Sequence, residues 1–168
     1  MKRILTLLTA LTILLLTAAC GGGSEFPLAV PDLDYSVNVY TAESVNGIFT
    51  ITGTTEYGKE LDVLVIPKAI DGATVQSIAA GALDGCKVKS VIIPEDCGIA
   101  YLNNGCFSGA GSLKHILILK KHSDITVSGN LLDGAASGAK VYVKPENYSD
   151  YVSYYTWGAF ASRIAKYE

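Results

Sequence analysis

Four cysteines and two histidines are the side chains of this sequence best suited to nucleophilic or metal chemistry: Cys20, Cys86, Cys97, Cys106, His115 and His122. No Cys-x-x-Cys pair occurs, and the histidines are not spaced with the cysteines as zinc ligands are. The three cysteines after Cys20 are an odd number, which argues against a full disulfide framework. We therefore expect packing roles for Cys86 and Cys106. Cys97 falls in a loop and is the one thiol that we expect to be exposed.

The acidic residues offer no catalytic set either. Glu95 and Asp96 are adjacent carboxylates, but they follow Pro94 in a predicted solvent-facing turn, with no histidine or nucleophile beside them in the sequence. Because no acid, base, nucleophile or metal-ligand set converges, we expect neither an enzyme nor a cofactor.

The N-terminus has the pattern of a secretory signal peptide. Lys2 and Arg3 precede the uncharged residues 4–19, a stretch of 16 residues that is shorter than the ~20 of a membrane-spanning helix. Without those two basic residues the chain has 11 basic and 16 acidic side chains, a net charge of −5. We expect no nucleic-acid partner, because basic contacts to phosphate provide most of that affinity.

The residues around Cys20 resemble the lipobox of bacterial lipoproteins, with Leu16-Thr17-Ala18-Ala19 before the cysteine and three glycines after it. Thr17 departs from the pattern, which usually has leucine there. The resemblance implies that Cys20 is lipidated and becomes the mature N-terminus; the alternative is an ordinary signal peptide with a coincidental cysteine. We expect a lipoprotein signal peptide over 1–19, a flexible tether over 20–33, and an exported protein anchored to the membrane in the cell envelope, at the cell surface.

Two sequence landmarks recur in phase with a period of about 25 residues. The first is a short apolar run, found as Leu64-Val65-Ile66, Val91-Ile92-Ile93, Ile116-Leu117-Ile118 and Val141-Tyr142-Val143. The second is a small-residue turn with one apolar centre, found at 81–86, 105–110 and 130–135 with Leu83, Phe107 and Leu132. Two landmarks recurring in step indicate repeated units, each of which buries its apolar face only by stacking on its neighbours.

The apolar runs predict parallel strands with one face toward the core. Their first and last residues lie two apart, as on one face of a strand, and Pro67 and Pro94 end the first two runs. The middle residues then point outward; we call Val65, Ile92, Leu117 and Tyr142 the outer row. Val63, Ser90, His115 and Lys140 flank it.

We predict that the outer row and His115 form an exposed binding face, because exposed apolar rows mark interaction sites. One alternative is that apolar β-branched residues simply suit strands. Another is that the protein's own N-terminal segment covers the row.

These repeats resemble the BspA-like leucine-rich repeats of bacterial and protist surface proteins, which run as Leu-x-x-Ile-x-Ile-Pro, then Ile-Gly, then Ala-Phe-x-x-Cys. The matching segments are Leu64–Pro67, Val91–Pro94 and Ala82–Cys86, and the resemblance covers about 46–168. Leu119 in place of proline, and Ala110 and Ala135 in place of cysteine, are departures. The resemblance implies an α/β-class, strand-dominated leucine-rich-repeat solenoid with a short parallel sheet of three to four rungs, a β-hairpin cap before it and a helical cap after it.

The same reasoning divides the chain into parts. We expect a leucine-rich-repeat domain over 34–168, with an N-terminal cap over 34–60, repeats over 61–138 and a C-terminal cap over 139–168. The hairpin of the first cap is predicted to turn at Asn46-Gly47. In the last cap, Tyr148, Tyr151 and Tyr155 have helical spacing, which predicts one helix over 146–165.

The resemblance implies attachment or adhesion at the cell surface through a protein or matrix partner, without catalysis. One alternative is a glycan-binding envelope lipoprotein that uses the aromatic residues between Tyr142 and Tyr167, although the same cluster suits a cap that buries an apolar end. Another is a purely structural component of the envelope.

Overall fold

The computed structural model describes residues 39–167. The predicted signal peptide, Cys20, the tether and the start of the predicted N-terminal cap lie outside the described residues. Within them the chain is a strand-rich α/β fold with parallel sheets and short helices. None of the helices in this range is long and apolar enough to cross a membrane.

The elements follow one another with short connections. In chain order they are β1 (Tyr40–Val45), β2 (Ile48–Thr54), α1 (Glu56–Lys59), β3 (Val63–Val65), β4 (Ala69–Ile70), β5 (Ala73–Thr74), β6 (Ser77–Ile78), β7 (Ser90–Ile93), β8 (Tyr101–Leu102), β9 (His115–Ile118), β10 (Thr126–Val127), β11 (Lys140–Val143), α2 (Tyr148–Ser153), α3 (Tyr155–Gly158) and β12 (Ile164–Lys166). Single 3₁₀ turns occupy His122–Asp124, Pro145–Asn147 and Ala161–Arg163.

The main sheet has five parallel strands in the order β12-β11-β9-β7-β3. Leu64, Val91, Ile116 and Val141 lie side by side across four of them, and all four side chains are fully buried. The parallel sheet expected from the repeat is therefore present with the expected register. The fifth strand, β12, was not predicted, because it carries no copy of the repeat pattern.

The second sheet has the order β1-β2-β6-β8-β10. Strands β1 and β2 form the predicted antiparallel hairpin, and Asn46 and Gly47 at its tip have φ angles of 52° and 82°, as the tight turns of two-residue hairpins require. The next strands pair in parallel, which aligns Ile51, Ile78, Leu102 and Val127. These four side chains join those of the main sheet in one core.

The small-residue turns lie on top of one another along one side of this core. The backbone N–H of Gly81 donates to the carbonyl of Gly105 at 3.1 Å, and that of Gly105 donates to the carbonyl of Asn130 at 3.0 Å. The turn centres Leu83, Phe107 and Leu132 are all buried, as predicted.

The prediction of one helix over 146–165 is wrong. The segment contains α2 and α3, separated at Tyr154, whose backbone is extended (φ −76°, ψ 130°), and it ends in strand β12. In an unbroken helix Tyr151 and Trp157, six residues apart, would lie about 120° from one another around the axis. The break allows both rings to enter the core, where their centroids are 4.6 Å apart in a T-shaped contact.

Candidate binding surfaces

The outer row lies where the repeat pattern places it. Val65 pairs with Ile92, Ile92 with Leu117, and Leu117 with Tyr142, so the four residues form one line across β3, β7, β9 and β11. They belong to an apolar cluster that is separate from the main core and lies on the opposite face of the sheet.

The prediction that this row is exposed is wrong. Ile92, Leu117 and Tyr142 expose only 4%, 2% and 4% of their surface, and Val65 is half-buried. The sequence did contain a signal for this burial, because Val91-Ile92-Ile93 and Ile116-Leu117-Ile118 are continuous apolar runs. Such runs are typical of parallel strands that are buried on both faces, whereas a half-exposed strand alternates.

His115 lies two residues before Leu117 on the same face, beside Ser90. Its Nδ1 is 3.3 Å from the hydroxyl of Ser90, and its ring centroid is 5.5 Å from that of Tyr142. Ser90 is buried, although its side chain points away from the main core. Burial lowers the pKa of His115, and the neighbouring charge of Lys114 lowers it further.

The aromatic residues of the C-terminal segment separate into a buried group and an exposed group. Tyr151, Trp157 and Phe160 are buried and belong to the core. The Tyr151 hydroxyl donates a hydrogen bond to the carbonyl of Lys120 at 2.8 Å, which fixes α2 on the end of the main sheet. These residues therefore act as the apolar cap that was one of the two interpretations of the cluster.

The exposed group contains His122, Tyr154 and Tyr155, which we call the aromatic patch. Tyr155 exposes 80% of its surface and Tyr154 43%, and His122 is half-buried beneath them. The ring centroids of His122 and Tyr154 are 5.0 Å apart, and those of Tyr154 and Tyr155 are 5.1 Å apart. The sequence did not predict the place of His122 in this group, because it is distant from the tyrosines in the chain.

The three cysteines among the described residues are free and buried. The expectation that Cys97 is exposed is wrong, since only 3% of its surface is accessible. Its loop is held down by Lys120, whose ammonium group donates to the carbonyl of Cys97 at 2.8 Å, and by the close approach of Gly98 to Val75. Cys86 and Cys106 have the packing positions that were predicted, and burial raises the pKa of all three thiols.

Four ion pairs join charged side chains at the surface of the described residues. Glu95 of the adjacent carboxylates accepts a hydrogen bond from Lys144 at 2.6 Å, and this contact lowers the pKa of Glu95. Between residues 39 and 167, no group of three or more histidine, cysteine, aspartate or glutamate side chains is arranged to hold a metal ion.

No protein-family model matches the chain. No curated protein matches it at a significant level.

Proposed function

We propose that this protein is an exported, lipid-anchored leucine-rich-repeat module of the BspA-like kind, which binds another macromolecule and catalyses no reaction. Its partner is a protein or a matrix component at the cell surface. The observation that carries this proposal is the aromatic patch, an exposed group of rings on a firmly packed end of the fold.

The solenoid interpretation is supported by the register of the main sheet. Strands β3, β7, β9 and β11 of the main sheet are offset from one another by 25 to 27 residues, and the turns at 81–86, 105–110 and 130–135 follow with nearly the same period. A chain in which each unit pairs only with its neighbours presents an extended surface, and such proteins commonly function as binding scaffolds.

The anchor is supported by sequence alone, from the basic start, the uncharged stretch and the small residues before Cys20. A lipidated Cys20 would hold the protein firmly, because each buried methylene of its acyl chains contributes ~0.8 kcal/mol. Cys20→Ser should move the protein from the membrane fraction to the soluble fraction, or leave an uncleaved precursor. Ser24→Ala, in the tether, is the control. Normal processing and membrane partitioning of Cys20→Ser would contradict the anchor.

The aromatic patch is a suitable contact for a protein partner. Tyrosine combines a large apolar ring with a hydroxyl and loses little conformational entropy on binding, so it is enriched at interface hot spots. Here Tyr154 and Tyr155 follow directly on α2, whose Tyr151 is anchored in the core. The two rings are therefore presented from a rigid base.

The test compares cells that carry Tyr154→Ser with Tyr155→Ser against cells that carry Tyr57→Ser. Tyr57 is a matched control, because it is also an exposed tyrosine, 55% accessible, but lies on α1 in the N-terminal part of the fold. We expect the double variant to lose about tenfold or more of its attachment to surfaces coated with matrix protein, with an unchanged melting temperature. Equal attachment of the double variant and the control would contradict a role for the patch.

Glycan binding is a second candidate, favoured by the high solvent exposure of Tyr155. The flat face of such a ring can stack on the apolar face of a sugar, with nearby polar groups as hydrogen-bond partners. The same variants distinguish the two candidates. Attachment that is competed away by free oligosaccharide indicates a glycan ligand, whereas attachment that survives oligosaccharide but is lost after protease treatment of the coating indicates a protein ligand.

A further inference from the structure

We propose that Asn46, at the tip of the hairpin formed by β1 and β2, is a site of spontaneous deamidation to aspartate and isoaspartate, and that the fold protects Asn104 from the same reaction. Each of these residues precedes a glycine, and they form the two Asn-Gly pairs of the sequence. The inference does not depend on the proposed function. It follows from the different surroundings of the two pairs.

Deamidation begins at the backbone nitrogen that follows the asparagine. The nitrogen of Gly47 attacks the side-chain carbon Cγ of Asn46 and forms a C–N bond, while the side-chain nitrogen leaves as ammonia with the proton of the attacking N–H. Water then opens the resulting cyclic succinimide. Its attack at Cγ gives aspartate, and its attack at the backbone carbonyl carbon gives isoaspartate, in which the main chain continues through Cγ. Glycine favours ring closure, because it has no Cβ and its backbone angles are the least restricted.

The hairpin tip leaves the reacting groups of Asn46 and Gly47 accessible. Both residues are exposed. Among the described residues, neither the side-chain amide of Asn46 nor the backbone N–H of Gly47 has a hydrogen-bond partner. Apart from its chain neighbours, no atom lies within 4 Å of the place that a Cβ atom on Gly47 would occupy. The side chain of Asn46 can therefore rotate toward the nitrogen without breaking another contact.

The same groups of Asn104 and Gly105 are held in place. Oδ1 of Asn104 accepts a hydrogen bond from the backbone N–H of Asn130 at 2.8 Å, and the backbone N–H of Gly105 donates to the carbonyl of Asn130 at 3.0 Å. The Asn104 side chain also lies against Gly129, where a Cβ atom would be 2.6 Å from Oδ1. Gly105 is buried. Ring closure here requires both hydrogen bonds to break and the stacked turns to separate, which is a local unfolding event.

A second turn of the fold indicates which product the hairpin accommodates. Asp71 and Gly72, between β4 and β5, have φ angles of 50° and 80°, close to the 52° and 82° of Asn46 and Gly47. An aspartate at position 46 therefore fits the turn with an unchanged backbone. Isoaspartate does not fit, because it adds a methylene to the main chain of a two-residue turn, and the turn fixes the register of β1 on β2.

The affected hairpin forms one end of the second sheet. Its strand β2 pairs with β6, which aligns the buried side chains of Ile51 and Ile78. An isoaspartate in the turn would weaken the pairing of β1 with β2 and so loosen the end of the core that they cover. The fraction of molecules modified at position 46 would increase with time after synthesis, because the reaction requires only water.

Incubation of the folded full-length protein in heavy-oxygen water at mildly alkaline pH, which favours loss of the attacking proton, tests the proposal. Digestion and mass spectrometry then measure the heavy oxygen gained at positions 46 and 104. We expect position 46 to convert at least about tenfold faster, because reaction at Asn104 must await local opening of the turns. Equal rates, faster conversion at Asn104, or no conversion at either position would overturn the proposal.

The same incubation in urea separates the effect of the fold from that of the neighbouring sequence. In the unfolded chain both Asn-Gly pairs lose their tertiary contacts, so the two rates should come within about threefold of one another. A difference that is as large in urea as in the folded protein would contradict the protection of Asn104 by the stacked turns.

The effect of the two products is measured by thermal unfolding. Asn46→Asp should have the melting temperature of the wild type, because an Asp-Gly turn of the same geometry already occurs at Asp71 and Gly72. Wild-type protein that has been incubated until isoaspartate accumulates at position 46 should melt at a lower temperature than fresh protein. A lowered melting temperature for Asn46→Asp, or an unchanged one for the incubated wild type, would contradict the effect assigned to that product.

Discussion

At the scale of single residues, the interior of this protein is specified by large apolar side chains that recur once in each small-residue turn of the repeat. Phe107 is fully buried between the neighbouring turns that carry Leu83 and Leu132. Cys106 beside it is equally buried, and its thiol behaves as a small apolar group. The three cysteines among the described residues are therefore packing residues.

Phe107→Ala should lower the free energy of unfolding by ~3–5 kcal/mol, because it removes a buried ring and leaves a cavity. Phe107→Leu keeps most of the volume and should cost less than about 1.5 kcal/mol. Chemical denaturation of both variants measures the difference. If Phe107→Ala unfolds at the wild-type midpoint, the turn centre does not contribute to the core as the structure places it.

His115 should make the protein less stable in mild acid. Burial holds its pKa in the folded state below the ~6.5 of the unfolded chain, so the unfolded chain takes up the proton more readily and protonation favours unfolding. The stability associated with neutral His115 is complete above about pH 6.5 and decreases as the pH falls through that value toward the lower folded pKa. Urea unfolding measured between about pH 7 and pH 5 should show a smaller loss of unfolding free energy for His115→Gln than for the wild type. An equal loss in the two proteins would contradict the prediction.

At the scale of elements, the close stacking of the turns depends on glycines. Gly109 has a φ of +78°, and a Cβ atom there would lie 2.8 Å from the Cα of Asp84 in the preceding turn. The turns can approach this closely only because no side chain separates them.

Gly109→Ala should therefore destabilise the protein by ~1–3 kcal/mol, through backbone strain and displacement of the neighbouring turn. Gly111→Ala is a matched control two residues away, since a Cβ atom at Gly111 meets nothing within 4 Å. Thermal unfolding should show a lower melting temperature for Gly109→Ala than for Gly111→Ala. A similar melting temperature for both would show that the turns have room to separate.

At the scale of the whole molecule, the main sheet is buried on both faces. One face contributes Leu64, Val91, Ile116 and Val141 to the large core, and the other contributes Ile92, Leu117 and Tyr142 to the smaller cluster. Parallel sheets are normally covered on both sides, and this sheet follows that rule although it is only five strands wide.

Leu117→Lys should consequently unfold or strongly destabilise the protein, by several kcal/mol, because it places an unpaired ammonium group at a site that is 2% exposed. Thr126→Lys puts the same side chain at an exposed strand position of the second sheet and should have little effect. Circular dichroism during urea unfolding compares the two. A Leu117→Lys protein with the wild-type midpoint would show that the outer face is open to water in solution.

Much of this architecture is determined by the sequence alone. The in-phase repeat predicts parallel strands, their register and their inward residues, because short apolar runs that recur about every 25 residues can bury their surface only by stacking on one another. Asn46-Gly47 predicts the hairpin, because both residues readily adopt the positive φ angles of its turn. The sequence pattern is sufficient to predict a structural element where the element depends on neighbouring residues, as the hairpin turn does, or on a pattern that is repeated along the chain, as the parallel strands do.

Only the tertiary structure decided which segments of the chain pack against one another. The continuous apolar run around Leu117 indicates a strand that is buried on both faces, but it does not show which residues lie against Leu117, because that depends on the assembled fold. The break at Tyr154 and the added strand β12 arise because Tyr151 and Trp157 both gain from burial at the end of the core, which outweighs the helical spacing of the segment. His122 meets Tyr154 only because the chain returns to the same end of the sheet. These contacts join residues distant in sequence, so their free energy depends on the assembled fold rather than on any single segment.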